Sequence, residues 1–376
     1  MSFASLPPPE AVQHILIWHQ GALGDLLLAG PALMAVRDRY PGARLVGLGH
    51  PERWGLLSTT LSLAEVWDSG ESRWAPLLAD GPLPVELQAR LAPFQLALIF
   101  SPNPGTPVPA RLRQAGIPAV HWVPSFPEEG RGEAVGALQA RHLSGLGLLV
   151  ETTSFRLNLP EPLATKTRSI GSTGFPACTA QAKACGYQEN PLNANQDEVN
   201  LAALAGAAAW LAVAPGSGQA GKNWPLSHYY EVSRALAWEY KLGVVWLAGP
   251  AEAAWLPYLQ ALAAAQGQAL LAGAPLKKVA AVLSRCRLFL GNDSGLTHLA
   301  AALRGPAVVA LFGPTDPGIW APPGKRVRIL AGICAKAPCA RGREIPCPKP
   351  QCLEELYPER VLAVAGAVLQ YSDCQK

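Results

Sequence analysis

The stretch HILIWHQGALGD, residues 14–25, decides the fold class. Its first half is a short apolar run of the kind that forms a buried parallel strand. The run ends in a glycine turn, and residues 26–40 follow with apolar side chains at helical spacing. A strand, a glycine turn and a helix in this order predict the first β-α unit of a parallel sheet.

The same alternation recurs along the chain, which predicts an α/β protein with two Rossmann-like domains. Further strands are predicted at residues 43–48, 61–67, 96–100, 119–123, 210–214, 242–247, 288–290 and 307–312. Residues 161–197 lack periodicity and are rich in Thr, Ser, Gly, Asn and Pro, so we interpret them as a linker with an irregular insertion. The predicted domains are residues 1–197 and 198–357, and a terminal helix in residues 358–376 is expected to pack back on the first domain.

Composition limits the classes of function. The chain has 376 residues, of which 49% are hydrophobic and 15% charged, with a net charge of +4. This is enough apolar material for two cores, and it lacks the dense basic tracts of a nucleic-acid binder. No secretory signal and no apolar run of the ~18 residues needed for a membrane span stand out, so a cytoplasmic location is expected.

Four of the eight cysteines lie close together near the C-terminus, at Cys334, Cys339, Cys347 and Cys352. Their spacings are C-x4-C, C-x7-C and C-x4-C, whereas tight zinc knuckles prefer C-x2-C. We therefore expect no metal site.

The first glycine turn carries an acid, Asp25. A carboxylate is a poor ligand for phosphate because the two repel each other, so Asp25 is better explained as a general base or as a partner for a hydroxyl group. A helix cap is the alternative, and turn chemistry alone does not decide between them.

A second turn, APGSG at residues 214–218, contains Ser217 and is followed by Lys222. Small residues let backbone amides approach an anion, and Lys222 adds a positive charge. An ordinary loop with a solvated lysine would have the same composition.

A third turn, GNDSGLTH at residues 291–298, begins another helix, with Asp293 or Ser294 as its cap. The amides of a helix N-terminus attract anions, and His298 lies about one turn further on, where a packing role and a functional role are both open. Glu252, after the Gly249 turn, either holds ribose hydroxyls or only complements a helix dipole.

Together with FGPT at residues 312–315, these turns resemble glycosyltransferase family 9, the ADP-heptose:lipopolysaccharide heptosyltransferases. Order and spacing hold from about residue 14 to residue 371. The resemblance implies a GT-B fold, in which two Rossmann-like domains face each other across a cleft. It also implies an inverting, metal-independent transfer from a nucleotide sugar bound mainly by the C-terminal domain to an acceptor bound mainly by the N-terminal domain.

The resemblance also assigns roles to residues of this sequence. It implies that Asp25 is the general base and that Glu252 meets the donor ribose. The donor diphosphate would be held by Ser217, Lys222, Asp293, Ser294 and Gly295, with support from His298. Arg73 is similar to a basic acceptor-site position.

The expected partners are a nucleotide-sugar donor and a lipid-linked saccharide acceptor, with no cofactor and no nucleic acid. Such an acceptor would bring a monomeric enzyme to the inner face of the cytoplasmic membrane. Relatives often carry Lys or Arg before the first turn, where this chain has His19 and Gln20. Another nucleotide sugar or a different acceptor is the first alternative. A non-catalytic nucleotide-sugar-binding protein is the second, although it would not need Asp25.

Overall fold

The computed structural model describes residues 5–128, 132–152, 154–159, 207, 209–340, 344–347 and 350–373. The predicted linker and insertion at residues 161–197, and with them the predicted domain boundary, lie outside this described part of the chain.

The first lobe is built on a five-stranded sheet in which every neighbouring pair is parallel. Its strands are β1 (His14–His19), β2 (Arg44–Gly49), β3 (Glu65–Asp68), β4 (Leu96–Ser101) and β5 (Ala119–Pro124). In the order β3-β2-β1-β4-β5, the chain adds β2 and β3 on one side of β1 and then β4 and β5 on the other side. Open α/β sheets bind ligands at such a point, outside the carboxyl ends of the strands.

Within the described residues, the helices of this lobe are α1 (Leu23–Leu28), α2 (Gly30–Arg39), α3 (Pro51–Leu61), α4 (Val85–Leu91), α5 (Val108–Gln114) and α6 (Val135–Gly145). The single helix predicted over residues 26–40 is therefore two helices, joined at Ala29. Pro31 stands in the first turn of α2, where its missing N–H costs nothing. The strand predicted at residues 61–67 is shorter, because α3 continues to Leu61.

The second lobe has a six-stranded parallel sheet in the order β11-β10-β9-β6-β7-β8. The strands are β6 (Ala209–Ala214), β7 (Leu242–Ala248), β8 (Ala269–Ala272), β9 (Cys286–Asn292), β10 (Ala307–Phe312) and β11 (Val327–Ala331). The helices are α7 (Leu226–Tyr240), α8 (Leu256–Ala265), α9 (Leu276–Leu283), α10 (Gly295–Ala302), α11 (Pro317–Trp320), α12 (Gln351–Glu354) and α13 (Pro358–Asp373). Two Rossmann-like lobes confirm the predicted fold class.

The predicted position of the terminal helix is wrong. Helix α13 packs on α7, β9 and β10 of the second lobe rather than on the first domain. Val361, Ala365 and Leu369 recur every four residues and are buried in the same apolar cluster as Trp224 and Tyr229. This stripe therefore completes the core of the second lobe.

The two lobes meet through α1 and α10, and again through α3 and α9. One cluster of buried apolar side chains continues across this contact, from Leu27 in the first lobe to Leu299 in the second. Within the described ranges, no helix combines the length and the apolar character needed to cross a membrane.

Candidate functional site

A cavity of about 300 Å³ lies between the lobes at the carboxyl ends of both sheets. Its walls come from α1 and the loop after β5 on one side, and from the loops after β6, β9 and β10 on the other. Six of the predicted site residues line it: Asp25, Lys222, Asp293, Ser294, Gly295 and His298.

Asp25 is the acidic residue that the first lobe contributes. It is the third residue of α1, and its Oδ2 accepts a hydrogen bond from the backbone N–H of Ala22 at 3.0 Å. The side chain is only partly buried and faces the cavity. Asp25 thus satisfies a helix-terminal amide and also presents a carboxylate to the cleft, so both interpretations of this residue are compatible with the geometry.

The turn that carries Asp25 is held by the first turn of α3. Arg53 donates from Nη1 to the backbone oxygen of Gly21 at 2.9 Å. Beside it, the buried Trp54 indole donates to the backbone oxygen of His19 at 3.3 Å. The sequence pattern predicted no helix at residues 51–61, so this support for the turn was not expected.

His19 closes β1 directly behind the turn and is 2% exposed. Burial lowers its pKa to about 4, and the nearby charge of Arg53 acts in the same direction. Its Nδ1 accepts a hydrogen bond from the Gly21 N–H at 3.2 Å. His19 is therefore neutral at physiological pH.

Lys222 and Asp293 form a partly buried ion pair on the opposite wall. Lys222 Nζ lies 2.9 Å from Asp293 Oδ2, and the side chains are 21% and 8% exposed. The Thr315 hydroxyl donates to the same oxygen at 2.8 Å. Asp293 thus holds the lysine head at the cavity wall, and the ammonium group has further donors for an anion.

Helix α10 begins at this wall. Ser294 is its N-cap residue, as one of the two predicted alternatives, but its side chain makes no capping hydrogen bond. The first N–H groups of a helix have no intrahelical acceptor, and they carry a partial positive charge. The beginning of α10 can therefore bind an anion beside Lys222.

His298 lies in α10 and is 6% exposed. Burial lowers its pKa to about 4, and Lys222 contributes in the same direction while Asp293 opposes it. The imidazole is consequently neutral at physiological pH. It can offer a hydrogen bond to a ligand but adds no positive charge.

Asn292, at the end of β9, joins the loops of the second lobe. Its Oδ1 accepts hydrogen bonds from the backbone N–H of Trp224 at 3.0 Å and from the Tyr229 hydroxyl at 2.8 Å. Its Nδ2 donates to the Pro215 oxygen at 2.7 Å. The side chain is fully buried, so all three bonds form away from water and fix the second and third glycine turns relative to each other.

Three predicted site residues lie outside the cavity wall. Ser217 is 7% exposed and donates to Asn223 Oδ1 at 2.8 Å. Glu252 is 3% exposed, accepts from the Gly249 N–H at 2.7 Å, and has a pKa raised by burial. Arg73 forms an ion pair with Glu71 on an exposed surface of the first lobe. Their predicted ligand contacts stay predictions.

Three apolar side chains of the cavity wall had no predicted role: Leu28, Phe126 and Trp320. Leu28 lies one helical turn beyond Asp25, so the spacing in α1 could have indicated it. Phe126 and Trp320 belong to no motif, and only the assembled lobes bring them together.

The four C-terminal cysteines line a second cavity, of about 490 Å³. Burial raises the pKa of Cys352 to about 11, and the other three cysteines contribute. No three His, Cys, Asp or Glu side chains of the described ranges are grouped as metal ligands. The absence of a metal from the reaction remains an expectation.

Two Rossmann-like lobes face each other across a cleft that Asp25 lines on one wall and Lys222 with the start of α10 on the other, which is the arrangement of a GT-B fold. The sequence model of glycosyltransferase family 9 (heptosyltransferase) matches residues 175–349. The chain is also 31% identical over 156 residues to lipopolysaccharide heptosyltransferase 2 of Escherichia coli, which is 39% of this chain and 43% of that protein. The matched segment thus spans less than half of that relative.

Solved structures extend the likeness to the whole fold. A glycosyl transferase family 9 structure from Veillonella parvula has a TM-score of 0.68 at 17% identity and covers 98% of this chain and 100% of its own. The structure of ADP-heptose lps heptosyltransferase II of E. coli has a TM-score of 0.63 at 20% identity, and the alignment covers 96% of this chain and 100% of that one. The predicted resemblance to glycosyltransferase family 9 is confirmed in sequence over residues 175–349, and over the rest of the chain the likeness to the solved structures is one of fold.

Proposed function

We propose that the chain is an inverting, metal-independent glycosyltransferase that moves a heptose from ADP-heptose to a lipopolysaccharide inner-core acceptor. One observation carries the proposal: Asp25 from one lobe and Lys222 with the start of α10 from the other line the same cavity. Both the proton and the diphosphate released by such a transfer then have an acceptor in place. The names of the E. coli relatives support the choice of donor and acceptor.

In this mechanism an acceptor hydroxyl attacks the anomeric carbon on the face opposite the diphosphate. The new C–O bond forms as the bond to the diphosphate oxygen breaks, which inverts the anomeric centre. Asp25 takes the hydroxyl proton. Lys222 and the first amides of α10 receive the negative charge of the leaving ADP, so no cofactor is required. Ser217 is proposed to help hold the diphosphate, and Glu252 is proposed to meet the donor ribose.

The decisive experiment incubates the protein with ADP-heptose, UDP-sugars and GDP-sugars in turn, each with a truncated core acceptor. Mass spectrometry then follows the product, and we expect transfer from ADP-heptose. Transfer only from another donor would replace the substrate and leave the class of enzyme intact. Binding without turnover of any donor would instead favour a nucleotide-sugar-binding protein.

Replacing the base tests the mechanism. Asp25→Asn keeps the size of the side chain and its bond to the Ala22 N–H but cannot accept the proton. We expect kcat to fall by about 10²–10⁴-fold while ADP still binds with near wild-type affinity. An unchanged kcat in this variant would refute the role of Asp25.

A further inference from the structure

Two aromatic rings meet across the cleft. Phe126 follows β5 in the first lobe, and Trp320 ends α11 in the second lobe. Their ring centroids are 5.0 Å apart with planes at 87°, an edge-to-face contact. Both rings line the cavity that contains Asp25 and Lys222. The contact therefore joins the lobes at the site itself.

Trp320 is tied to the polar part of the site through a short segment. The backbone N–H of Trp320 donates to the backbone oxygen of Asp316 at 3.0 Å, and Asp316 caps α11 through its side chain. The preceding residue, Thr315, donates to Asp293. The backbone of Trp320 is thus held in a capped turn that begins one residue after Thr315, the hydrogen-bond partner of Asp293.

The cavity wall has a polar part and an apolar part. Lys222, Asp293 and the start of α10 supply charge and hydrogen-bond donors, whereas Leu28, Phe126 and Trp320 supply apolar surface. A diphosphate gains nothing from apolar surface, but the C–H face of a sugar ring packs well on aromatic rings. Because Leu28 and Asp25 share one face of α1, this apolar surface borders the position of the base.

We propose that Phe126 and Trp320 form an aromatic clasp that packs on the transferred sugar and keeps water from its anomeric carbon. This inference rests on the proposed function. Where water replaces the acceptor, its oxygen bonds to the anomeric carbon and the bond to the diphosphate breaks. Asp25 takes the proton, and the products are free sugar and ADP. Excluding water in this way prevents loss of the donor to hydrolysis.

The rings come from different lobes, so removing either one opens the same gap. The test compares Trp320→Ala, Phe126→Ala, the double variant and Trp320→Phe with the wild type. Trp238→Ala is the matched control, because that indole is 79% exposed on α7 and does not line the cavity. Thermal melting of every variant checks its folding, and Trp320→Phe keeps the test open if the alanine variant unfolds.

Two measurements use ADP-heptose and ADP as probes. The first is the ratio of hydrolysis without acceptor to transfer with acceptor, which we expect to rise several-fold in each alanine variant. The double variant should resemble the single ones. The second is calorimetric affinity, where the preference for ADP-heptose over ADP should fall about two- to tenfold. Trp320→Phe should lie between the alanine variant and the wild type, and Trp238→Ala should match the wild type.

The clasp is refuted, and the proposed function is kept, if the wild type transfers heptose and the alanine variants have the wild-type ratio of hydrolysis to transfer and the wild-type preference for ADP-heptose over ADP. Effects of the two alanine substitutions that simply add would also count against it, because they would mean two separate contacts. A wild-type protein that neither transfers nor hydrolyses any nucleotide sugar overturns the proposed function, and the clasp falls with it.

Discussion

Replacing Lys222 by alanine tests the anion-binding wall most directly. In the structure, Lys222 Nζ donates to Asp293 Oδ2 at 2.9 Å and keeps part of its surface open to the cavity. A hydrogen bond to a charged group contributes about 1.5–3 kcal/mol. Losing the one between Lys222 and the donor diphosphate should weaken ADP binding about tenfold to a hundredfold.

A second effect adds to the first. Without Lys222, no cation among the described residues forms an ion pair with the Asp293 carboxylate, although Thr315 still donates to it. Carboxylate and diphosphate then repel each other by about a few kcal/mol at close range. We therefore expect Lys222→Ala combined with Asp293→Asn to bind ADP more tightly than Lys222→Ala alone.

Isothermal titration calorimetry with ADP measures these affinities. Lys241→Ala is the matched control, since that lysine is exposed and lies 4.6 Å from the Trp238 ring, away from the cavity. A change below about threefold in Lys222→Ala would refute the assigned role of the lysine. A double variant weaker than the single one would refute the argument from repulsion.

Three further outcomes are expected. Arg53→Gln removes the guanidinium bond to Gly21, so kcat should fall while the KM for the donor stays nearly constant; a change confined to the acceptor KM would indicate a ligand contact instead. Gly24→Ala places a Cβ 3.0 Å from His298 Cδ2, so the free energy of unfolding measured by scanning calorimetry should fall by about 1–3 kcal/mol. Unchanged stability would mean that α1 and α10 move apart at no cost. The pKa values of His298 and His19 lie near 4 in the folded protein, below the ordinary 6.5. Between these values the unfolded chain binds protons that the folded one does not, so the free energy of unfolding should decrease from pH 6.5 to pH 4 by up to about 3 kcal/mol per histidine. Urea unfolding at several pH values measures this, and the free energy of unfolding of His19→Gln should depend less steeply on pH. Equal pH dependence in the variant and the wild type would contradict the lowered pKa of His19.

The sequence predicted where strands end more reliably than it predicted which surfaces meet. Glycine turns after apolar runs are local signals, and parallel topology then brings their side chains to one edge, so Asp25, Lys222 and Asp293 lie together as expected. The apolar stripe of α13 is equally visible, but a stripe does not specify its partner. That helix consequently packs on the second lobe, contrary to the prediction.

Other site residues were out of reach for a physical reason. Phe126 and Arg53 act through contacts with residues far away in the chain, and neither has a sequence pattern of its own. Glu252 illustrates how a local pattern leaves two roles open. Its predicted contact with the donor ribose stays a prediction, and within the fold its carboxylate accepts a hydrogen bond from the Gly249 N–H. The sequence around Glu252 indicates that a carboxylate is needed at this position. Only the packing of the folded chain shows which groups that carboxylate contacts.

The glycines at the contact between α1 and α10 set how closely the two lobes pack beside the site. A Cβ added at Gly24 would lie 3.0 Å from His298, and one at Gly295 would lie 3.0 Å from Leu23. Side chains larger than hydrogen would crowd this contact at both positions. Larger residues there would push the wall that carries Asp25 away from the wall that carries Lys222.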